Sequence, residues 1–148
     1  MKVKDIMSTP PITVQVEQTV GQAAAQILEH RINAVPVLEG ERVVGLLSEG
    51  DLVRLLLPRY SEVVEDEYRF QDFEAAEERA DIIRHQPVRH AMTVGVLSVT
   101  PQTPVLKAAA LLRAHHLKWL PVVSEGKLVG IVTRHDICKA LLGKRQKA

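Results

Sequence analysis

The chain has 148 residues, 46% of them hydrophobic, enough for one compact domain or two small interlocked halves and too few for several independent ones. A formal net charge of +1 argues against a nucleic-acid binder driven by bulk charge and against a protein held to a membrane by a basic face. The single cysteine, Cys138, rules out an internal disulfide, MKVKDIM lacks the apolar run of a signal peptide, and no apolar stretch reaches the roughly 18 residues that span a bilayer, so a cytoplasmic location is the expectation.

In chain order, ITVQV at 12–16 alternates apolar and polar residues, the pattern of a half-buried strand. Thr19 with Gln22 three residues on forms a capping box, and Val20, Ala23, Ala24, Ile27 and Leu28 recur at helical spacing up to His30 and Arg31. AVPVL at 34–38 and RVVGLL at 42–47 read as strands joined by a turn through Gly40. Ser48 then stands three residues ahead of Asp51, a helix-start signature, and DLVRLLL at 51–57 is a helix halted by Pro58. Residues 59–86 differ in kind, with nine acids against four arginines. They also hold Tyr60, Tyr68, Phe70 and Phe73, every aromatic residue except Trp119. Phe73, Ala76, Ala80 and Ile83 share one helical face, which predicts a helix from about Asp72 to His85, packed on the rest of the chain or on a second subunit, or else a solvated acidic helix with a few anchors. Beyond it come a strand VLSV at 96–99, a helix begun by Thr103 with Pro104 in its first turn, strands WLPVV at 119–123 and KLVGIV at 127–132, and a helix from about Arg134 to Leu142 introduced by Thr133 and Asp136.

A shift of 85 positions lays the second series on the first without a gap. It brings Val3 onto Val88, Met7 onto Met92, Ala23–Ala25 onto Ala108–Ala110, Pro36 onto Pro121, Val44 and Gly45 onto Val129 and Gly130, and Asp51 onto Asp136. Two units too small to bury a core alone are expected to pack together. Pro36 and Pro121 cannot donate to a ladder, so each strand is expected at a sheet edge or beside an irregularity, with carbonyls free for other partners.

Other chemistry finds little support. His115 and His116 point about 100° apart on a helix, and neither His-x-x-x-His nor Cys-x-x-Cys occurs, which disfavours a metal. Cys138 matches Val53 and is expected in the core; no nucleophile, base and orienting group can be assembled, so no enzyme and no catalytic cofactor are expected. The basic end, Lys139, Lys144, Arg145 and Lys147, has no aromatic platform and makes nucleic acid the weakest of the partner classes.

DIM at 5–7, the alanine-rich helices, the VPV and LPVV strands and the G-hydrophobic-hydrophobic-Ser/Thr-x-x-Asp elements GLLSEGD at 45–51 and GIVTRHD at 130–136 resemble the CBS domain family in its paired form, the Bateman module. The resemblance implies an α+β fold: a tandem pair of β-α-β-β-α units related by a pseudo-two-fold, with motif 1 at residues 1–58, an acidic, partly helical linker at 59–86, motif 2 at 87–143 and a basic tail at 144–148. It also implies a stand-alone regulatory module binding AMP, ADP, ATP or S-adenosylmethionine in clefts between the motifs, an adenine nucleotide being the regulatory ligand. By position, Asp51 and Asp136 would accept the ribose hydroxyls, with Ser48 and Thr133 near the ribose and first phosphate. Backbone groups at Ala34, Val35 and Pro36 and at Leu120 and Pro121 would read the adenine edge, and Ile12 and Leu97 would cover its face. Trp119, which replaces Ala34, would stack on a base or fill the second pocket. Arg134 and His135 would favour phosphate where Glu49 repels it. A homodimer and an unidentified regulated protein are the expected partners; a dimerisation scaffold with empty clefts is the alternative.

Overall fold

The computed structural model describes residues 1–9, 11–57 and 70–143, with the backbone alone at 70–76. Pro58, Tyr60, Tyr68, Lys144, Arg145 and Lys147 lie outside the described residues, as do the side chains of Phe70 and Phe73. The described chain runs β1 (Val14–Gln15), α1 (Val20–Glu29), β2 (Ala34–Glu39), β3 (Arg42–Ser48), α2 (Glu49–Leu56), α3 (Phe70–Ile83), α4 (Val105–Ala114), β4 (Trp119–Ser124), β5 (Lys127–Thr133) and α5 (Arg134–Leu142), with short 3-10 turns at Val3–Asp5 and Val88–His90. The fold is mixed α+β, as the sequence predicts.

Two compact bodies divide the chain. The first-repeat body contains the described parts of Ile12–Gly40 and Val44–Val96; the second-repeat body contains those of Met1–Pro11, Glu41–Val43 and Leu97–Ala148. In the first, β1, β2 and β3 form a sheet in that order, with β1 parallel to β2 and Val14 opposite Val37. Pro36 lies just short of the two residues that β1 pairs, so its missing N–H interrupts no bond to β1. In the second, β4 and β5 are antiparallel, with an irregularity between Val122 and Val123 immediately after Pro121. The Pro121 carbonyl is not free, because it accepts from the Val99 N–H at 3.0 Å.

Each body completes itself with a segment that precedes the other repeat. The Ser8 N–H donates to the Ile131 carbonyl at 2.8 Å, and the Ile131 N–H returns to Ser8 at 3.1 Å. At positions matched by the 85-residue shift, Thr93 and Leu46 exchange the same pair of bonds at 2.8 and 2.9 Å. The exchange continues into the cores. Val3, fully buried, packs among Val99, Val105, Leu112 and Leu120 of the second repeat, while Val88 and Ala91 pack among Val16, Val20, Ile27 and Val35 of the first. A Cβ on Gly45 would stand 2.8 Å from the Thr93 carbonyl oxygen, and one on Gly130 would stand 3.0 Å from that of Ser8, so the crossing strands require glycine. Gly45→Ala is expected to cost about 1–3 kcal/mol of unfolding free energy, the usual penalty for overpacking, measured by denaturant melts.

The helix starts follow the capping-box pattern, a hydroxyl with Gln or Asp three residues on, with one exception. Thr19 accepts from the Gln22 N–H at 3.1 Å and Gln22 reciprocates at 3.0 Å, opening α1. Thr103 does not cap α4: its hydroxyl accepts from the Thr100 N–H at 3.0 Å, closing a turn, and Pro104 occupies the capping position without a side-chain bond. Two strands are shorter than their patterns suggest. ITVQV keeps only Val14 and Gln15, and VLSV contributes only a bridge from Val99 to Val122. The linker helix, expected at Asp72–His85, runs two residues earlier at each end. Cys138 is exposed rather than in the core, because its helix turns Ile137 inward instead.

Candidate functional site

Each body gathers one set of the residues that the sequence singles out. In the first-repeat body, β3 delivers Ser48 to the start of α2, where its hydroxyl accepts from the Asp51 N–H at 3.1 Å. Asp51 is 4% exposed and is the one buried charged side chain among the described residues. Its Oδ2 accepts from the Ser48 N–H at 2.9 Å and from the Ser48 hydroxyl at 3.0 Å. Its Oδ1 accepts from Arg54 Nη2 at 2.7 Å and from the Thr93 hydroxyl at 3.2 Å. Ala34, Val35 and Pro36 of β2 are buried, and Ile12 is half-buried against the same core.

In the second-repeat body, β5 delivers Thr133 to the start of α5, where its hydroxyl accepts from the Asp136 N–H at 3.0 Å. The Thr133 N–H donates to Asp136 Oδ2 at 2.9 Å, and among the described residues nothing donates to Oδ1. Trp119, half-buried, stands directly opposite Thr133 in the ladder. Leu120 and Pro121 are buried behind it, while Leu97 is 36% exposed.

Arg134 does not accompany Asp136. Two residues along a helix turn a side chain by about 200°. Arg134 accordingly lines a cavity of about 460 Å³ with Arg113, His116, Lys118, Ile137 and Cys138, and Asp136 does not line it. His135 is exposed on the intervening face. The two donors to Asp51 that sequence reasoning missed, Arg54 and Thr93, had different signals. Arg54 sits three residues beyond Asp51 on one helix, a spacing at which opposite charges meet. Lys139 at the matched position makes no ion pair among the described residues. With 69% of its side chain in solvent, Arg54 contributes about 0.2–1 kcal/mol through this pair. Thr93 had no local signal, since it reaches Asp51 only through the exchanged segment.

The CBS domain family matches residues 3–58 and 88–143. The chain belongs to the CBS domain family. The two matches make it a tandem CBS pair, and the hydroxyl-acid corners at Ser48–Asp51 and Thr133–Asp136 fall one in each motif. A solved CBS domain from a membrane protein of Sphaerobacter thermophilus is 32% identical, with a TM-score of 0.75 over 97% of this chain and 90% of that one. CBSX2, solved in complex with AMP, is 27% identical, with a TM-score of 0.73 over 98% of this chain and 99% of that one. The A-adding tRNA nucleotidyltransferase of Geobacter sulfurreducens is 26% identical over 97% of this chain, which spans only 14% of that enzyme's length. Among the described residues, no helix is long and apolar enough to cross a membrane, and no group of three or more His, Cys, Asp or Glu side chains could hold a metal ion.

Proposed function

We propose that this CBS pair is a ligand-sensing regulatory module, not an enzyme, whose ligand is an adenosine-containing nucleotide of the AMP, ADP or ATP class. The observation that carries this reading is the Asp136 corner: a carboxylate oxygen with no donor among the described residues, beside a threonine hydroxyl that donates to none of them, with an indole across the ladder. A carboxylate accepts a vicinal diol through two charge-assisted bonds, which suits ribose and discriminates against deoxyribose. The likeness to CBSX2, solved with AMP, supports the same ligand class. Trp119 offers a stacking face to the base and half-buried Ile12 an apolar one in the first-repeat body, while Ala34, Val35, Pro36, Leu120 and Pro121 are buried and back these faces. The phosphate would meet the positive end of α5 and the His135 N–H, since the Arg134 N–H is taken by the Lys118 carbonyl at 3.1 Å.

A thermal-shift titration with AMP, ATP and S-adenosylmethionine tests the reading. At a ligand concentration 100 times Kd, the expected stabilisation is about 2.7 kcal/mol, several degrees for a chain of this size. No shift with any of the three leaves a scaffold whose work is association. A second copy of the chain is the partner this proposal expects. The apolar groove of about 770 Å³ between α1, α2 and α3, with Val20, Leu52, Leu56 and Ile83 in its walls and Leu28 72% exposed, supports self-association. Sedimentation as a monomer at every accessible concentration would count against it.

A further inference from the structure

The two corners look alike in sequence and differ in what their carboxylates have left to offer. A carboxylate has about four lone-pair sites. Asp51 fills all four, from the Ser48 N–H, the Ser48 hydroxyl, Arg54 and Thr93. Among the described residues, Asp136 fills one, from the Thr133 N–H. The hydroxyls differ in the same sense, since Ser48 has spent its proton on Asp51 while Thr133 only accepts. Ser8 and Lys139 occupy the positions matched to Thr93 and Arg54, and among the described residues neither reaches Asp136.

We propose that Asp51 is latched, by Arg54 from its own helix and by Thr93 from the exchanged segment, so that a nucleotide engages the Asp136 corner first and the Asp51 corner only by displacing both donors. The inference rests on the nucleotide reading above and adds an order of occupancy to it. A diol arriving at Asp136 finds three acceptor sites that no described residue fills; at Asp51 it finds none. Displacement at Asp51 gives up an ion pair and a hydroxyl bond before the ligand gains anything there. The latch also ties occupancy to position, because Thr93 is held to β3 by its backbone bonds to Leu46.

Isothermal titration of the full chain with AMP tests this. The wild type should show one tight class, sensitive to Asp136→Asn and unchanged by Asp51→Asn, and a second class about tenfold weaker or more, the worth of one ion pair and one hydrogen bond. Combining Arg54→Ala with Thr93→Val should tighten the second class about tenfold, and adding Asp51→Asn should remove that gain. Arg54 is largely in solvent and Thr93→Val preserves shape, so melting curves should confirm an intact fold. Two equal classes in the wild type, a second class unmoved by the double variant, or a tight class weakened by Asp51→Asn would each overturn the latch. No heat from AMP in the wild type or in any variant would instead remove the nucleotide reading beneath it.

Discussion

Replacing Val3 with Asp is expected to unfold the second-repeat body while α1, β2 and β3 keep most of their protection. Val3 has no exposed surface, and it packs among Val99, Val105, Leu112, Leu120 and Val122. Its N–H donates to the Thr103 carbonyl at 2.8 Å, and the following Lys4 N–H to that of Pro101 at 3.0 Å. A polar group forced into such a site without a partner costs about 2–7 kcal/mol, against a total of about 5–15 kcal/mol for a domain. Hydrogen exchange reads the outcome by residue. The Ile131 amide, bonded to the Ser8 carbonyl, should lose protection early, together with the β4–β5 ladder. If protection is lost first in the strands nearest Val3 in sequence, the exchanged arrangement is wrong.

Replacing Asp136 with Asn is expected to weaken AMP binding about 100-fold or more with little loss of stability. Asn keeps an oxygen to accept the Thr133 N–H, so the cap on α5 survives. What it loses is charge and one acceptor, and hydrogen bonds to charged groups contribute about 1.5–3 kcal/mol each. Two ribose hydroxyls therefore lose about 3 kcal/mol between them, a factor above 100. Calorimetry on the variant, with a melting curve beside it, separates lost recognition from lost fold. Unchanged affinity removes Asp136 as the ribose acceptor.

The helix starts were legible because they are written within four residues. Thr19 with Gln22, Ser48 with Asp51 and Thr133 with Asp136 all bond as their spacing requires. Thr103 misled because a threonine beside Pro104 offers its hydroxyl equally to a turn, and Thr100 N–H took it. Strands near the exchanged segments are shorter than their alternation suggests, since alternation marks faces and not which neighbours supply bonds. The exchange itself leaves no trace in the repeat. A shift of 85 carries the Ser8–Ile131 pair onto the Thr93–Leu46 pair, so swapped and unswapped arrangements have the same internal symmetry. The corners and the charge difference between Arg134 and Glu49 are legible in the sequence, but the unequal sets of donors to the two carboxylates are not. Arg54 is visible beside Asp51, but Thr93 arrives from 42 residues away.

The swapped segments also govern the order in which a ribosome can finish this protein. Leu46 cannot gain its partner until Thr93 has emerged, and Ser8 must wait for Ile131, nearly the whole length of the described chain. Neither hydrophobic centre can close on its own repeat, so nascent chains carry an unpaired β3 edge through much of translation. A pause or a premature stop between the repeats would leave that edge without Thr93, open to pairing with another chain.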